Sequence, residues 1–169
     1  MTLAASDAAL IQIVDAAFME AARKSGPWLV CRPGCTQCCY GVFSITALDA
    51  WRLKQGLAGL DAADPERAQR IRERARKALA EADEDAACPA LDVETGTCDL
   101  YAARPITCRA FGPPLRCGEE AIGVCELCYE GATDEEIAAC EADIDPDNME
   151  EALLAELGPG ETTVAEALA

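Results

Sequence analysis

The chain has 169 residues, with 14 lysines and arginines against 31 aspartates and glutamates, a formal net charge of -17 and no histidine. This acidity excludes the clustered basic surface that binds nucleic-acid phosphates, and no run approaches the ~18 apolar residues of a membrane span. We therefore expect no nucleic-acid partner and no membrane partner, and the sequence names no protein partner.

Residues 1–20 lack the basic start and the small-residue cleavage site of a secretory signal. This predicts a cytoplasmic protein, whose thiols stay reduced. Aromatic residues make up only 5% of the chain, so large core-filling side chains are scarce. Thinly packed domains often need cross-links or metals for stability, and the eleven cysteines suit that role. An odd number of cysteines fits a fully paired disulfide framework poorly.

The first predicted element is a long helix. Ser6 is a candidate N-cap, and the helix is expected to run to about Lys24, where the SGP sequence at residues 25–27 stops it. Its apolar face, at helical spacing, consists of Leu10, Val14, Ala17, Phe18 and Ala21.

Two further helices are predicted after the first cysteine cluster. Residues 41–45 read as a short extended piece, and Thr46 is a candidate N-cap for a helix through about Leu57. Asp64, followed by proline at the first helical position, predicts a third helix over residues 65–85. Its dense charges predict a mostly solvated surface.

The second half of the chain predicts a hairpin and two helices. Residues 90–93 and 97–101 are expected to pair around a turn. The TDEE sequence beginning at Thr133 is a capping-box pattern and predicts a helix through about Ala142. Residues 145–159 predict a last helix, which Asp-Pro opens and Gly-Pro closes.

These elements predict a mainly α fold: a small helix-rich domain around a loop-rich cysteine metal site, with one short β-hairpin. We expect residues 1–169 to form a single domain. Within it, residues 31–117 would be the cysteine-cluster core, and residues 118–169 a C-terminal cysteine-containing helical extension.

The cysteines fall into two sets, and all of them are candidate metal ligands. The first set comprises Cys31, Cys35, Cys38, Cys39, Cys88, Cys98 and Cys108. The second set comprises Cys117, Cys125, Cys128 and Cys140. The spacing of Cys125 and Cys128 lets two thiolates reach one ion, and Cys117 with Cys140 would complete a tetrahedron typical of structural zinc. Four sulfurs equally suit an iron–sulfur cluster.

Thiol density favours a metal ion over the alternatives. A single cysteine is often a small buried apolar residue, but adjacent Cys38 and Cys39 point in different directions and cannot fill the same gap in a core. The absence of histidine excludes His-containing metal sites and Cys-His nucleophile pairs. Soft thiolates favour zinc, copper(I) or iron–sulfur clusters, and spacing alone does not separate these.

The order of the motifs resembles the small bacterial CxxCxxCC proteins, often called the YkgJ-like cysteine cluster family. The resemblance rests on Cys35-x2-Cys38-Cys39, followed by CPALD, GTCDLY and RPITCRAFG, and it covers Cys31 to Cys117. It implies a zinc- or iron-chelating domain. The chain departs from the family pattern at Cys31, which three residues separate from Cys35 instead of two.

The resemblance also implies an enzymatic alternative. Flagellin lysine N-methylases carry a similar cysteine region and are associated with S-adenosylmethionine and iron–sulfur chemistry. The spacing of Cys31, Cys35 and Cys38 matches the triad of radical enzymes, but the chain lacks the strand–helix alternation and the length of their partial barrel. A third alternative is a thiol redox or metal-transfer protein using Cys125 and Cys128, although that pair lacks a βαβ setting. No motif predicts a specific reaction.

Charged residues near the cysteines are candidates for supporting roles. Four cysteinates on zinc leave a formal charge of about -2, which nearby cations should offset. Arg104 and Arg109, on either side of Cys108, are predicted to donate hydrogen bonds to sulfur or to site carboxylates. Asp92 and Asp99 are expected to be turn residues.

Overall fold

A computed structural model of the chain describes residues 2–81, 83–117, 120–158 and 160–169. Over these residues the fold is mainly α with a few short strands, as the sequence predicts. The α-helices are α1 (Leu3–Ser25), α2 (Ala47–Ala63), α3 (Pro65–Glu81), α4 (Ile106–Ala110), α5 (Asp134–Ala139), α6 (Met149–Leu157) and α7 (Val164–Leu168). The strands are β1 (Ser44–Thr46), β2 (Leu91–Asp92), β3 (Thr97–Cys98), β4 (Leu115–Cys117), β5 (Glu120–Ile122), β6 (Ala142–Asp143) and β7 (Glu161–Thr163).

The chain divides into two compact units. Unit 1 comprises Met1–Arg32 and Ile106–Glu156, and unit 2 comprises Pro33–Pro105 and Leu157–Ala169. The single domain, with a cysteine core and a C-terminal extension, stays a prediction. None of the helices in the described residues has the length and apolar character needed to cross a membrane.

In unit 1, helix α1 packs against α4, β4 and β6. The face of α1 that is buried carries Leu10, Val14, Ala17 and Ala21, as predicted, while Phe18 is half-buried. The predicted N-cap is wrong. The hydroxyl of Thr2 accepts a hydrogen bond from the Ala5 amide, so the helix starts earlier than Ser6 would allow. Strand β4 lies between β5, which is antiparallel to it, and β6, which is parallel.

Two helix starts in unit 1 depend on side-chain caps. Thr133 and Glu136 form the predicted capping box of α5, which ends at Ala139, before Ala142. The last predicted helix begins later than expected, at Met149. The buried carboxylate of Asp145 accepts hydrogen bonds from the amides of Met149 and Glu150, at 2.8 Å each. Asp145 therefore caps the helix although it lies four residues before Met149 in the sequence. Gly158 follows α6, and Pro159 of the predicted stop signal lies outside the described residues.

In unit 2, helices α2, α3 and α7 pack on one another around an apolar core. Thr46 caps α2 as predicted, because its hydroxyl accepts a hydrogen bond from the Asp49 amide, but the helix continues beyond Leu57 to Ala63. Helix α3 begins at Pro65 as predicted and ends at Glu81; Ala82, inside the predicted range, lies outside the described residues. Strands β1 and β7 pair antiparallel, and α7 was not predicted.

The predicted hairpin is confirmed within unit 2. Strands β2 and β3 are antiparallel, with Leu91 opposite Cys98. The carboxylate of Asp92 accepts hydrogen bonds from the amides of Glu94 and Thr95, at 3.0 and 3.4 Å. Asp92 is therefore a turn residue, as expected, and it holds the loop between the two strands.

Asp99, which follows the hairpin, forms ion pairs in addition to its expected place in a turn. Its carboxylate side chain is 2% exposed and accepts hydrogen bonds from Arg67 Nε and Arg74 Nη2, both at 2.6 Å. Arg74 Nε also donates to the carbonyl oxygen of Pro89, at 2.7 Å. Asp99 lies in a turn, as expected, and its buried carboxylate has a further role that the sequence did not predict, because its oxygens accept hydrogen bonds from two arginines of α3. Helix α3 thereby holds both ends of the hairpin segment.

We expect Asp99→Asn to destabilise the protein by about 2–4 kcal/mol, since breaking a buried ion pair is costly but both arginines keep partial exposure to water. Urea unfolding followed by circular dichroism measures the change. Asp92→Asn is the matched control on the same hairpin, because an amide oxygen can still accept the turn hydrogen bonds. Equal unfolding midpoints for the Asp99 variant and the parent would contradict the role of this ion pair.

Candidate metal centre

The two units divide the cysteines between them. All eleven lie within the described residues and carry reduced thiols. Unit 2 contains Cys35, Cys38, Cys39, Cys88 and Cys98, and unit 1 contains Cys31, Cys108, Cys117, Cys125, Cys128 and Cys140. The first set of the sequence analysis is therefore distributed over both units.

The loop that carries Cys35 packs against the β2–β3 hairpin. A Cβ atom added to Gly96 would lie 3.6 Å from both the Cα and the carbonyl oxygen of Gly34, and 3.8 Å from Thr36 Cγ2. Gly34 and Gly96 both have positive φ angles, of 86° and 66°, which glycine adopts without strain. This close approach of two glycine turns places Cys35, between Gly34 and Thr36, beside the tip of the hairpin.

A backbone ladder joins the end of this loop to the segment before the hairpin. The amide of Cys88 donates to the carbonyl oxygen of Cys39 at 2.7 Å, and the amide of Gly41 donates to the carbonyl oxygen of Ala86 at 2.9 Å. Tyr40 and Ala87 form the antiparallel bridge between these two bonds. The Cys38–Cys39 pair and Cys88 are thereby neighbours, although about fifty residues separate them.

The thiol of Cys38 is acidified by its surroundings. A hydrogen bond from the side chain of Cys39 is the largest cause, and together with a backbone hydrogen bond and the positive charge of Arg104 it lowers the pKa of Cys38 from 9.0 to about 6. Desolvation opposes this shift and is outweighed. Because the pKa lies below neutrality, Cys38 is a thiolate at pH 7, which is the form that binds metals.

The two thiols of the hairpin segment are shifted in the opposite direction. Burial, with a smaller contribution from the neighbouring Cys98, raises the pKa of Cys88 to about 11, although backbone hydrogen bonds and the charge of Arg74 act to lower it. Burial also raises the pKa of Cys98, while Arg104 and Arg67 act to lower it. Cys88 and Cys98 are therefore neutral thiols in the metal-free protein, close enough to influence one another.

Of the two arginines predicted to support the site, Arg104 lies with the thiols of unit 2. Its guanidinium sits 3.5 Å from the ring centroid of Tyr101, and its Nε donates to the Tyr101 carbonyl oxygen at 2.9 Å. Its charge lowers the pKa of both Cys38 and Cys98. A direct hydrogen bond from Arg104 to sulfur stays a prediction.

Arg109 lies in unit 1, on α4. Its Nη1 donates to both carboxylate oxygens of Asp15 on α1, at 2.9 and 3.1 Å. This ion pair joins two helices that pack against each other. Asp15 is not one of the candidate ligands. The predicted hydrogen bond from Arg109 to a sulfur or a carboxylate of the site therefore stays a prediction.

The donor chemistry of unit 2 fits a soft metal ion. No three cysteine, aspartate or glutamate side chains in the described part of the chain stand together at the spacing that an ion requires. The fit therefore depends on the kind of donors present. Unit 2 contains five thiols, one of them ionised at neutral pH, with a cation beside it. Zinc and iron both accept such a thiolate set.

Three cysteines of unit 1 form a separate buried cluster. Cys125, Cys128 and Cys140 are 6–7% exposed and pack with Tyr129. The amide of Cys128 donates to the carbonyl oxygen of Cys125 at 2.9 Å, and Cys140 Sγ donates to the carbonyl oxygen of Glu136 at 3.3 Å. The remaining predicted ligands of this unit are half-buried, except for Cys31, which is exposed: Cys108 lies in α4 and Cys117 ends β4.

Sequence reasoning missed the residues that assemble the unit 2 thiols. Arg67 and Arg74 lie two turns apart on one face of α3. Their spacing in the sequence therefore indicates that both guanidinium groups can bind the same partner. Gly34 and Gly96 each sit in a short turn signal next to a cysteine motif. Their mutual contact depends on the tertiary fold and has no local signal.

These features define a thiol-rich class of small helical domain. The chain matches the CxxCxxCC family, described as "Putative zinc- or iron-chelating domain", over residues 30–128. This match covers more than half of the sequence, and the chain belongs to that family. Comparison with curated proteins and with solved structures gave no match.

The acidified thiol gives a prediction for the metal-free protein. We expect Cys38 to react with iodoacetamide half-maximally near pH 6, because the thiolate is the nucleophile. Cys88, with a pKa of about 11, should stay unmodified at pH 7. Peptide mass spectrometry across a pH series measures both, and Cys39→Ala, which removes the hydrogen bond to Cys38, should move the Cys38 profile to higher pH. Equal labelling of Cys38 and Cys88 at neutral pH would contradict these environments.

Proposed function

We propose that the chain is a metal-binding protein whose unit 2 thiols, Cys35, Cys38, Cys39, Cys88 and Cys98, hold zinc or iron. The observation that carries this proposal is the backbone hydrogen bond between Cys88 and Cys39, which brings two distant cysteine motifs side by side. The mutual influence of Cys88 and Cys98 extends the group to a third motif. Membership of a zinc- or iron-chelating family supports the same function.

The protonation states of the thiols explain what a metal would contribute. The half-buried thiols of Cys88 and Cys98 resist ionisation in the metal-free protein because desolvation raises the pKa of both. A divalent ion supplies that charge, and its binding releases the thiol protons to solvent. Four thiolates on zinc leave a formal charge of about -2, which Arg104 and Arg74 are placed to offset. Metal affinity should therefore weaken as pH falls.

An iron–sulfur cluster is a second candidate, favoured by the presence of at least four thiols in one unit. The five thiols would be sufficient for its ligation without any residue of unit 1. Either metal form requires a reducing compartment, since the thiols must stay reduced to bind. An anaerobic preparation separates the two, because a cluster absorbs visible light through charge transfer and zinc does not.

The proposal is tested by elemental analysis of anaerobically purified protein. We expect the Cys88→Ser/Cys98→Ser double variant to hold about one metal ion fewer per chain than the parent, since a thiolate site needs all its ligands. Cys117→Ser, which alters a half-buried thiol of unit 1, is the matched control and should keep the metal content of the parent. Unchanged zinc and iron in the double variant, with helicity retained, would refute the proposed site.

A further inference from the structure

We propose that unit 1 holds a second, separate metal site: a closed four-thiolate centre of the structural zinc type, formed by Cys31, Cys125, Cys128 and Cys140. The inference shares with the proposed function only the premise that this chain binds metal through thiolates. It uses none of the thiols of unit 2, and Cys140 lies beyond the residues that match the family.

Three of these thiols already share one buried cluster. Cys125, Cys128 and Cys140 pack together with Tyr129, and all four residues are 5–7% exposed. The walls of the cluster are apolar side chains, including Trp28, Leu29 and Phe111. An apolar, water-excluding shell around thiolates strengthens their attraction to a cation and protects them from oxidation.

The turn that carries two of the thiols is held in an unusual backbone conformation. Tyr129, directly after Cys128, has a φ angle of 61°, which costs a bulky residue energy. Two contacts hold this conformation: the Tyr129 amide donates to the carbonyl oxygen of Trp28 at 3.1 Å, and the Tyr129 hydroxyl shares a hydrogen bond with buried Ser25. These contacts keep Cys125 and Cys128 on a tight turn next to the end of α1.

Gly112 connects Cys31 to this cluster. A Cβ atom at Gly112 would lie 3.3 Å from Cys31 Sγ, so the glycine leaves space for that thiol. Its φ angle of 134° independently favours glycine. The Gly112 carbonyl oxygen accepts a hydrogen bond from the Cys125 amide at 3.3 Å, and Leu29, which packs on the cluster, also approaches Gly112. Cys31 and Cys125 therefore both contact Gly112.

The proposed fourth ligand is Cys31, in place of Cys117, which the sequence spacing suggested. Cys117 sits at the end of β4, where it pairs with Glu120, whereas Cys31 borders the cluster through Gly112. The departure of Cys31 from the family spacing is then understandable, because its thiol serves unit 1. Binding would replace the hydrogen bond from Cys140 Sγ to Glu136, release the thiol protons to solvent, and draw the sulfurs to ligand spacing.

The two tryptophans of the chain allow the two sites to be followed separately. Trp28 packs on the unit 1 cluster, and Trp51 lies on α2 in unit 2. In full-length Trp51→Phe protein, Trp28 is the only tryptophan. Adding Co²⁺ to the metal-free form should quench Trp28 fluorescence and produce a thiolate charge-transfer band. The Trp28 response should persist when Cys88→Ser/Cys98→Ser is added.

Cys31→Ser and Cys117→Ser form the decisive pair, since Cys31 is exposed and its replacement does not disturb the core. In the Trp51→Phe background, Cys31→Ser should weaken the Co²⁺ affinity reported by Trp28 by at least about tenfold. Cys117→Ser should leave that affinity unchanged. The Cys125→Ser/Cys128→Ser variant should abolish the response, with circular dichroism reporting whether the fold is kept.

Each outcome separates this inference from the proposed function. If Cys88→Ser/Cys98→Ser abolishes the Trp28 response along with all metal, the second site is refuted and the unit 2 site stands. If Cys125→Ser/Cys128→Ser removes all metal and Cys88→Ser/Cys98→Ser removes none, the unit 2 site is refuted and the inference stands. An unchanged affinity in Cys31→Ser overturns the assigned fourth ligand.

Discussion

The buried carboxylate of Asp99 is the constraint on which the unit 2 thiol site depends. Its two oxygens are held by Arg67 and Arg74, and Arg74 also binds the carbonyl oxygen of Pro89. Cys98 directly precedes Asp99, and Cys88 directly precedes Pro89. The arginines of one solvated helix therefore fix the backbone that carries two half-buried thiols. Because this chain has few large apolar side chains, the ion pairs of Asp99 position the cysteines where a larger hydrophobic core could otherwise do so.

The thiols that these contacts assemble are electrostatically unequal. Cys38, at the edge of the group, is a thiolate at neutral pH, while burial keeps Cys88 protonated. The half-buried members, Cys88 and Cys98, would ionise at neutral pH only when a positive charge approaches them. In the proposed site the Cys38 thiolate would be the first ligand, and proton release from Cys88 and Cys98 would follow as the ion enters. Metal uptake at the proposed site would thereby be coupled to release of the thiol protons.

Local signals predicted the local structure well. Thr46 and Thr133 cap the helices that they were expected to cap, since an N-cap needs only a hydroxyl and the next few amides. The prediction that Ser6 is the N-cap of α1 was wrong because the hydroxyl of Thr2, one turn earlier, takes that position. The sequence also led to the family and to thiolate chemistry. It did not predict how the cysteines divide between the units, because the pairing of Cys39 with Cys88 depends on a long-range backbone ladder that no local pattern encodes.

The central claim is that cysteine sulfurs alone surround the bound metal. X-ray absorption spectroscopy at the edge of the metal found in anaerobically purified, full-length protein tests it most directly. The account predicts a first coordination shell of about four sulfur atoms, at about 2.3 Å if the metal is zinc, with no nitrogen or oxygen shell. A shell dominated by oxygen or nitrogen atoms, or a protein that contains neither zinc nor iron, would contradict it.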